Sequence, residues 1–344
     1  MNNNWIRPVA SVVMITYNHK SYIANAIKCV LQQETKFPFE LLIGDDCSTD
    51  GTREIVEDYQ RRYHDIIRAI NSETNTGGRL NMLNLVNASR GDYIAYCEGD
   101  DFWHDTTKLQ KQVEYLANNQ IYGMVHSHSR AYYVGKNKLV KNAHVLPRNL
   151  KDNDAYNELL IGKRNIWTLT VCLRRDILID VLRECPECSE SKWPMADTQL
   201  WLEISRRARV KCIHEDLATR NFLIESASQS ADPKKVLKFK LAGKNLIEHY
   251  LQKYKMPNDI ENMIAARVIS AVMEAAFQAE DEECVDLLYA EAMARHLKVP
   301  WVFHLYTSGN RRSIYKFSVR KLHTLIQVKR KIIGRLYRLF LANY

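Results

Sequence analysis

The sequence predicts an α/β protein built on a mostly parallel sheet with flanking helices, followed by a helical C-terminal region. Three observations lead there. Apolar strand-like runs alternate with segments of helical spacing over roughly the first hundred residues, the pattern of βαβ units. Each apolar run ends abruptly in polar residues. After about residue 232 strand signals fade and helical spacing continues.

The elements follow in order. "ASVVMITYN" (10–18) reads as a buried strand. "SYIANAIKCVLQQ" (21–33) has apolar residues at helical spacing, with Ser21 placed to cap it. "FELLIGDD" (39–46) is a second strand, and "STDGTREIVEDYQRRY" (48–63) an amphipathic helix opened by capping residues. "IIRAINSE" (66–73) is a third strand, "GGRLNMLNLVNAS" (77–89) a helix after a Gly-Gly entry, and "DYIAYCEGDD" (92–101) a fourth strand. Beyond these come a helix over 108–119, a strand over 122–134 and a polar loop or insertion over 136–165. A strand turning into a helix over 166–178, a helix over 195–208 and a strand-like run over 210–224 complete the set. The boundaries predicted are a catalytic domain over 1–231, a helical region over 232–310 and a basic amphipathic tail over 311–344.

Composition narrows the class. Hydrophobic residues make up 46% and charged residues 26%, as in ordinary globular proteins. The formal net charge of +9 is uneven: residues 311–344 hold ten Lys/Arg and no acid, which leaves 39 basic and 40 acidic residues elsewhere. A neutral body argues against nucleic-acid binding, and the tail invites an anionic partner. The eight cysteines suggest no disulfide framework, and the lone Cys185-Pro-Glu-Cys188 reads as structural. The N-terminus has no signal pattern, and no apolar run reaches transmembrane length. The expectation is a cytoplasmic protein, peripheral at the inner face of the membrane.

In open parallel sheets, ligands bind beyond the carboxyl ends of the strands. Polar clusters sit at those ends: Tyr17-Asn18, Asp45-Asp46, Asn75-Thr76-Gly77 and Glu98 to Asp101. An Asp-Asp pair alone commonly makes a solvated turn. At converging strand ends it suits a hard divalent cation, Mn²⁺ or Mg²⁺, shared with phosphate oxygens. Such a cation neutralises charge that develops on a departing diphosphate.

"SVVMITYNHKSYIANAIKCVLQQ", "LLIGDDCSTDGT", "NTGGRLNMLNLVNASRGDYIAYCEGDDFW" and "KLQKQV", in that order, resemble a family 2 glycosyltransferase. The resemblance covers about residues 9–225. It implies a GT-A fold, an inverting mechanism, a nucleotide-sugar donor (UDP or dTDP) and a divalent metal. It implies that Tyr17, Asn18, Asp45 and Asp46 contact the nucleoside and that Arg79 approaches the base or phosphates. Asp101, helped by Asp100, would hold the metal and diphosphate. Asp197 in "MADTQLWLEIS" matches the family's acidic residue before a Leu-Trp-Leu helix, the general base. By the same analogy the acceptor is a glycan or a lipid-linked sugar of surface polysaccharide or lipopolysaccharide.

The sequence departs from the family in one place. Where many relatives have Tyr-Arg-x-His, this chain has "ATRNFLIESASQS" (218–230) with no histidine, so the third metal ligand is unassigned. Arg220 or Glu225 could reach the diphosphate there, and His214 lies too early and reads as structural. Trp103 and Trp193 flank the acidic groups and could line the sugar site; Trp201 fits the core better. The tail has apolar residues at helical spacing among Lys and Arg, suited to an anionic membrane surface. Rival functions are a nucleotidyltransferase, although "TYNHKSY" lacks its glycines, and a non-catalytic nucleotide-sugar or membrane-binding protein with a decayed site.

Overall fold

A computed structural model describes residues 7–190, 193, 195–223 and 232–300. Glu225 and the basic tail therefore lie outside the described residues. The chain divides into two compact units, Met1–Gln229 and Ser230–Tyr344.

The first unit begins with the expected alternation: β1 (Ala10–Thr16), α1 (Ile23–Leu31), β2 (Phe39–Asp45), α2 (Thr52–Arg62), β3 (Ile67–Asn71), α3 (Gly78–Ala88) and β4 (Tyr93–Tyr96). These strands pair in parallel, in the spatial order β3-β2-β1-β4. Both faces of the sheet are covered. Val12, Met14, Leu41 and Ile43 pack on one side, and Val13, Leu42 and Ile94 on the other. That is why these strands read as continuous apolar runs.

The rest of the unit is more mixed. It comprises β5 (Phe102–Trp103), α4 (Lys108–Asn118), β6 (Tyr122–Tyr133), β7 (Lys138–His144), α5 (Ala155–Leu160), β8 (Cys172–Arg174), α6 (Arg175–Glu184), α7 (Pro186–Glu190), α8 (Ala196–Arg207) and β9 (Arg209–Phe222). β8 lies between β4 and β6 and is antiparallel to both, whereas β6 and β9 run parallel. β5 closes the edge antiparallel to β9.

Four details differ from the sequence expectation. Ser21 does not cap α1; the His19 carbonyl instead accepts from the Tyr22 and Ile23 amides. The fourth strand stops at Tyr96, and Cys97–Asp101 form a turn. The stretch 136–165 is no simple loop, because β7 makes a hairpin with β6 and α5 follows. The strand expected from residue 166 is reduced to three residues, preceded by a 3-10 turn at Thr168–Thr170.

The second unit is helical: α9 (Pro233–Lys253), α10 (Asn258–Gln278) and α11 (Glu282–Ala294). Asp232 and Asp281 cap α9 and α11, and Pro233 occupies a first-turn position whose amide needs no partner. Leu237, Ile269, Val272, Met273, Val285 and Leu288 form its own core. Among the described residues no helix is long and apolar enough to cross a membrane.

Candidate active site

The ends of β1, β2 and β4 bring the polar clusters to one edge. Asn18 adopts a left-handed backbone (φ 55°), accessible to Asn because its short side chain bonds locally. Its amide donates to Ser48 Oγ and its side-chain oxygen accepts from the Thr49 amide, both at 2.9 Å. The β1 and β2 turns are thus stapled together, and Tyr17 beside them is 44% exposed.

Asp45 is fully buried, accepting from the Ser48 amide and from Arg53 Nε, each at 3.1 Å. Asp46 is 2% exposed and reaches across to the turn before α3. It accepts from Thr76 N (2.7 Å), Thr76 Oγ1 (2.9 Å) and Gly77 N (2.8 Å).

Beyond β4 the electrostatics change. Gly99 passes so close to β1 that a Cβ there would meet Thr16 Oγ1 at 2.7 Å, so a side chain would push the turn outward. The turn holds Glu98, Asp100 and Asp101 together. Asp101 accepts from the Asn221 amide on β9 at 2.7 Å, and the Asn221 side chain donates to the Asp100 carbonyl. Burial, and then the charges of Asp100 and Glu98, hold the Asp101 carboxyl well above the usual carboxylate range. Burial and Asp100 push Glu98 up to about 7. Asp197 raises Glu98 further and Arg220 opposes it, so both groups lie within electrostatic reach of this turn. Glu98 Oε2 is buried without a hydrogen-bond partner, and His19 Nδ1 stands 4.0 Å from Asp100 Oδ1.

Asp197 opens α8, where its Oδ1 accepts from the Thr198 amide at 2.7 Å and its Oδ2 faces Thr168 Oγ1 at 3.4 Å. Arg220 lies 5.1 Å from the Trp167 ring centre and 5.0 Å from that of Phe222. Trp167 also stacks on His144 at 4.3 Å. Aromatic faces hold a guanidinium without neutralising it.

The carboxylate group fits a hard divalent cation. Its donors are oxygens, it carries an orphaned buried oxygen, and ionising it is opposed by its own crowding. It is not a closed cage: among the described residues, the clusters tight enough to enclose a metal by themselves lie elsewhere. That suits a cation shared with substrate phosphates and water.

The fold also engages three further expected residues. Arg79 donates to the carbonyls of Cys188 and Trp193, the latter at 2.7 Å, fastening the segment ahead of α8. Trp103 is 2% exposed, donates to the Leu169 carbonyl at 3.0 Å and carries Lys108 Nζ at 4.0 Å over its ring. It supports the site from the core, because β5 turns it inward. Trp193 is half-buried, with its carbonyl held by Arg79. Asn221 and Thr168 were missed by sequence reasoning, and Glu98 was placed in the strand-end cluster without a role of its own. Glu98 alone carried a signal, sitting within the same acidic turn.

A mostly parallel sheet with an acidic turn after β4 and a carboxylate at the start of a later helix defines a GT-A type architecture. Residues 11–181 match the family described as glycosyl transferase family 2, and the chain belongs to that family. TuaG of Bacillus subtilis (strain 168), a candidate teichuronic acid biosynthesis glycosyltransferase, is 32% identical over 173 residues, covering 50% of this chain and 64% of TuaG. Uncharacterized mycobacterial proteins match at 46% over 106 residues, and the chain spans only 31% of their length. S. aureus TarS 1-349 in complex with UDP-GlcNAc has the same fold, with TM-score 0.57 and 15% identity over 85% of this chain and 93% of that one. So does the mannosyltransferase PcManGT from Pyrobaculum calidifontis in complex with GDP-Man and Mn²⁺, with TM-score 0.54 and 16% identity over 92% of this chain and 88% of that one.

Proposed function

We propose that this chain is an inverting, divalent-metal-dependent glycosyltransferase. It moves a hexose from a UDP- or dTDP-sugar to a glycan or lipid-linked acceptor in surface polysaccharide synthesis. The observation that carries this reading is the crowding of Glu98, Asp100 and Asp101 within electrostatic reach of Asp197. An acidic turn of this kind awaits a cation, and the nucleotide-sugar ligands of fold neighbours supply a reason for one.

Tyr17, Asn18, Asp45 and Asp46 form or brace the nucleoside end of the site. Asp101, with Asp100 and Glu98, would hold Mn²⁺ or Mg²⁺. When bound, the cation neutralises charge on the diphosphate leaving group. Asp197 takes the acceptor hydroxyl proton as the acceptor oxygen bonds to the anomeric carbon. The bond from that carbon to the diphosphate breaks in the same displacement, so configuration inverts and the electron pair leaves with the nucleoside diphosphate. Thr168 and the Thr198 amide aim the Asp197 carboxylate. Arg220 would meet the diphosphate, and Trp193 remains the candidate sugar contact.

Calorimetric titration of UDP, dTDP and GDP, with and without Mn²⁺, tests the donor site. The expected result is manganese-dependent binding of UDP or dTDP that Asp101→Ala abolishes. Metal-independent binding that survives in Asp101→Ala would favour the non-catalytic reading.

A further inference from the structure

A second cluster of metal-ligating side chains lies on β6 and β9. His214 Nδ1 is 3.1 Å from His128 Nε2, and Cys212 Sγ is 3.9 Å from His214 Nδ1. All three ligand atoms lie within 4.8 Å of one another. In a tetrahedral zinc site with ordinary bond lengths, nitrogen–nitrogen edges are about 3.3 Å and nitrogen–sulfur edges about 3.6 Å. The observed separations bracket those values.

The backbone explains how the three meet. β6 and β9 pair in register at His126↔Cys212 and Ser127↔Ile213, but the next pair is His128↔Asp216. His214 and Glu215 are therefore extra residues bulged out of β9. Bulges re-aim side chains, and this one brings His214 against His128. Cys212 and His214, two apart on a strand, face the same side. Cys212 and His128 are buried and His214 is exposed, which leaves one side of the cluster open to water.

We propose that His128, Cys212 and His214 form a transition-metal site of the zinc class, with solvent in the fourth position. This goes beyond the glycosyltransferase reading and concerns a different ligand set. Thiolate and imidazole donors select zinc-like ions, whereas the carboxylates near Asp101 select magnesium or manganese. One N–H now lies between the two imidazoles, as a hydrogen bond requires. Loading uses the lone pairs of both facing nitrogens, so that proton moves to the far nitrogen of its ring, and the Cys212 thiol proton leaves to water. A thiolate also offsets the positive charge that Arg148 places near both histidines. By contrast, the cluster Cys185, Glu187 and Glu203 already holds the Arg207 guanidinium, 2.7 Å from Glu203 and 3.5 Å from Cys185 Sγ.

The test uses the full chain, without added histidines, stripped by chelator and titrated with Zn²⁺ and with Co²⁺. Wild type and Asp101→Ala should each bind one zinc here, and cobalt should show thiolate charge-transfer absorption. Cys212→Ser should abolish that absorption. His214→Ala, a change at an exposed position, should weaken zinc binding by at least the ~10–100-fold typical of changes in a ligand's supporting shell. No saturable zinc binding would overturn the site and leave the histidines an ordinary hydrogen-bonded pair. Zinc binding that disappears in Asp101→Ala but survives in His214→Ala and Cys212→Ser would overturn it too, assigning the metal to the acidic turn.

Discussion

Two Asp-Asp pairs stand at the ends of strands in one sheet, and their neighbourhoods differ. Asp45 and Asp46 receive two and three donors respectively, among them the Arg53 guanidinium. Asp100 and Asp101 share a turn with Glu98, and Arg220 offsets their crowding without reversing it. The first pair is largely met by protein donors, although Asp45 Oδ1 is buried without a partner. The second crowds with Glu98 in a turn whose own donors leave the Asp101 carboxyl held well above the usual range. Identical dipeptides thus sit in different electrostatic settings, and the donors aimed at each carboxylate set the difference.

That contrast can be broken most sharply at Asp197, which feels the acidic turn. Asp197→Asn should slow transfer by ~10²–10⁴-fold, the usual worth of a general base, with metal-dependent nucleotide binding retained. Steady-state transfer assays beside calorimetry read both; wild-type turnover would remove Asp197 from the mechanism. Asp101→Asn comes next. Transfer should fall by on the order of 10²–10³-fold, as when one electrostatic stabiliser is lost, while the urea midpoint without metal stays level or rises. Asp45→Asn should do the opposite, lowering unfolding free energy by roughly 3 kcal/mol because Arg53 loses its buried partner. An Asp45→Asn protein as stable as wild type in urea would dissolve the distinction between the pairs.

The smallest effect serves as a control. Burial lowers the His144 pKa from 6.5 to about 4. Between those values the unfolded chain binds more protons than the folded one, so this contribution to stability is complete above pH 6.5 and is lost as pH falls toward 4. His144→Phe should flatten the pH dependence of the urea midpoint across that window. That pH dependence should persist unchanged in the Asp45 and Asp101 variants, since His144 belongs to neither pair.

The sequence was most legible where periodicity was strong. β1 to β4 and α1 to α3 could be placed because apolar runs buried on two faces alternate with helical spacing. β7 was illegible because most of its seven residues are exposed, and β8 because three residues carry no period. The acidic residues were found because they cluster locally. The carbonyl partners of Arg79, at Cys188 and Trp193, were illegible because they lie 109 and 114 residues away. Asn221 meets Asp101 across 120 residues, which only the β5–β9 pairing brings together.

An antiparallel strand enters the sheet where its parallel neighbours leave it. β8 therefore brings Trp167 and Thr168 to the working edge from its amino side, with Val171 O accepting from Tyr96 N at 3.3 Å. β6 leaves the sheet at that same edge, so the stretch from Val134 to Ile166 starts and finishes there. Arg164 from this stretch, 1% exposed, pairs with Glu158 and donates to the Val210 carbonyl, so the excursion is locked onto β9. A graft of this excursion would therefore have to carry its β6 and β9 partners with it, whereas β1 to β4 make their ladder without it.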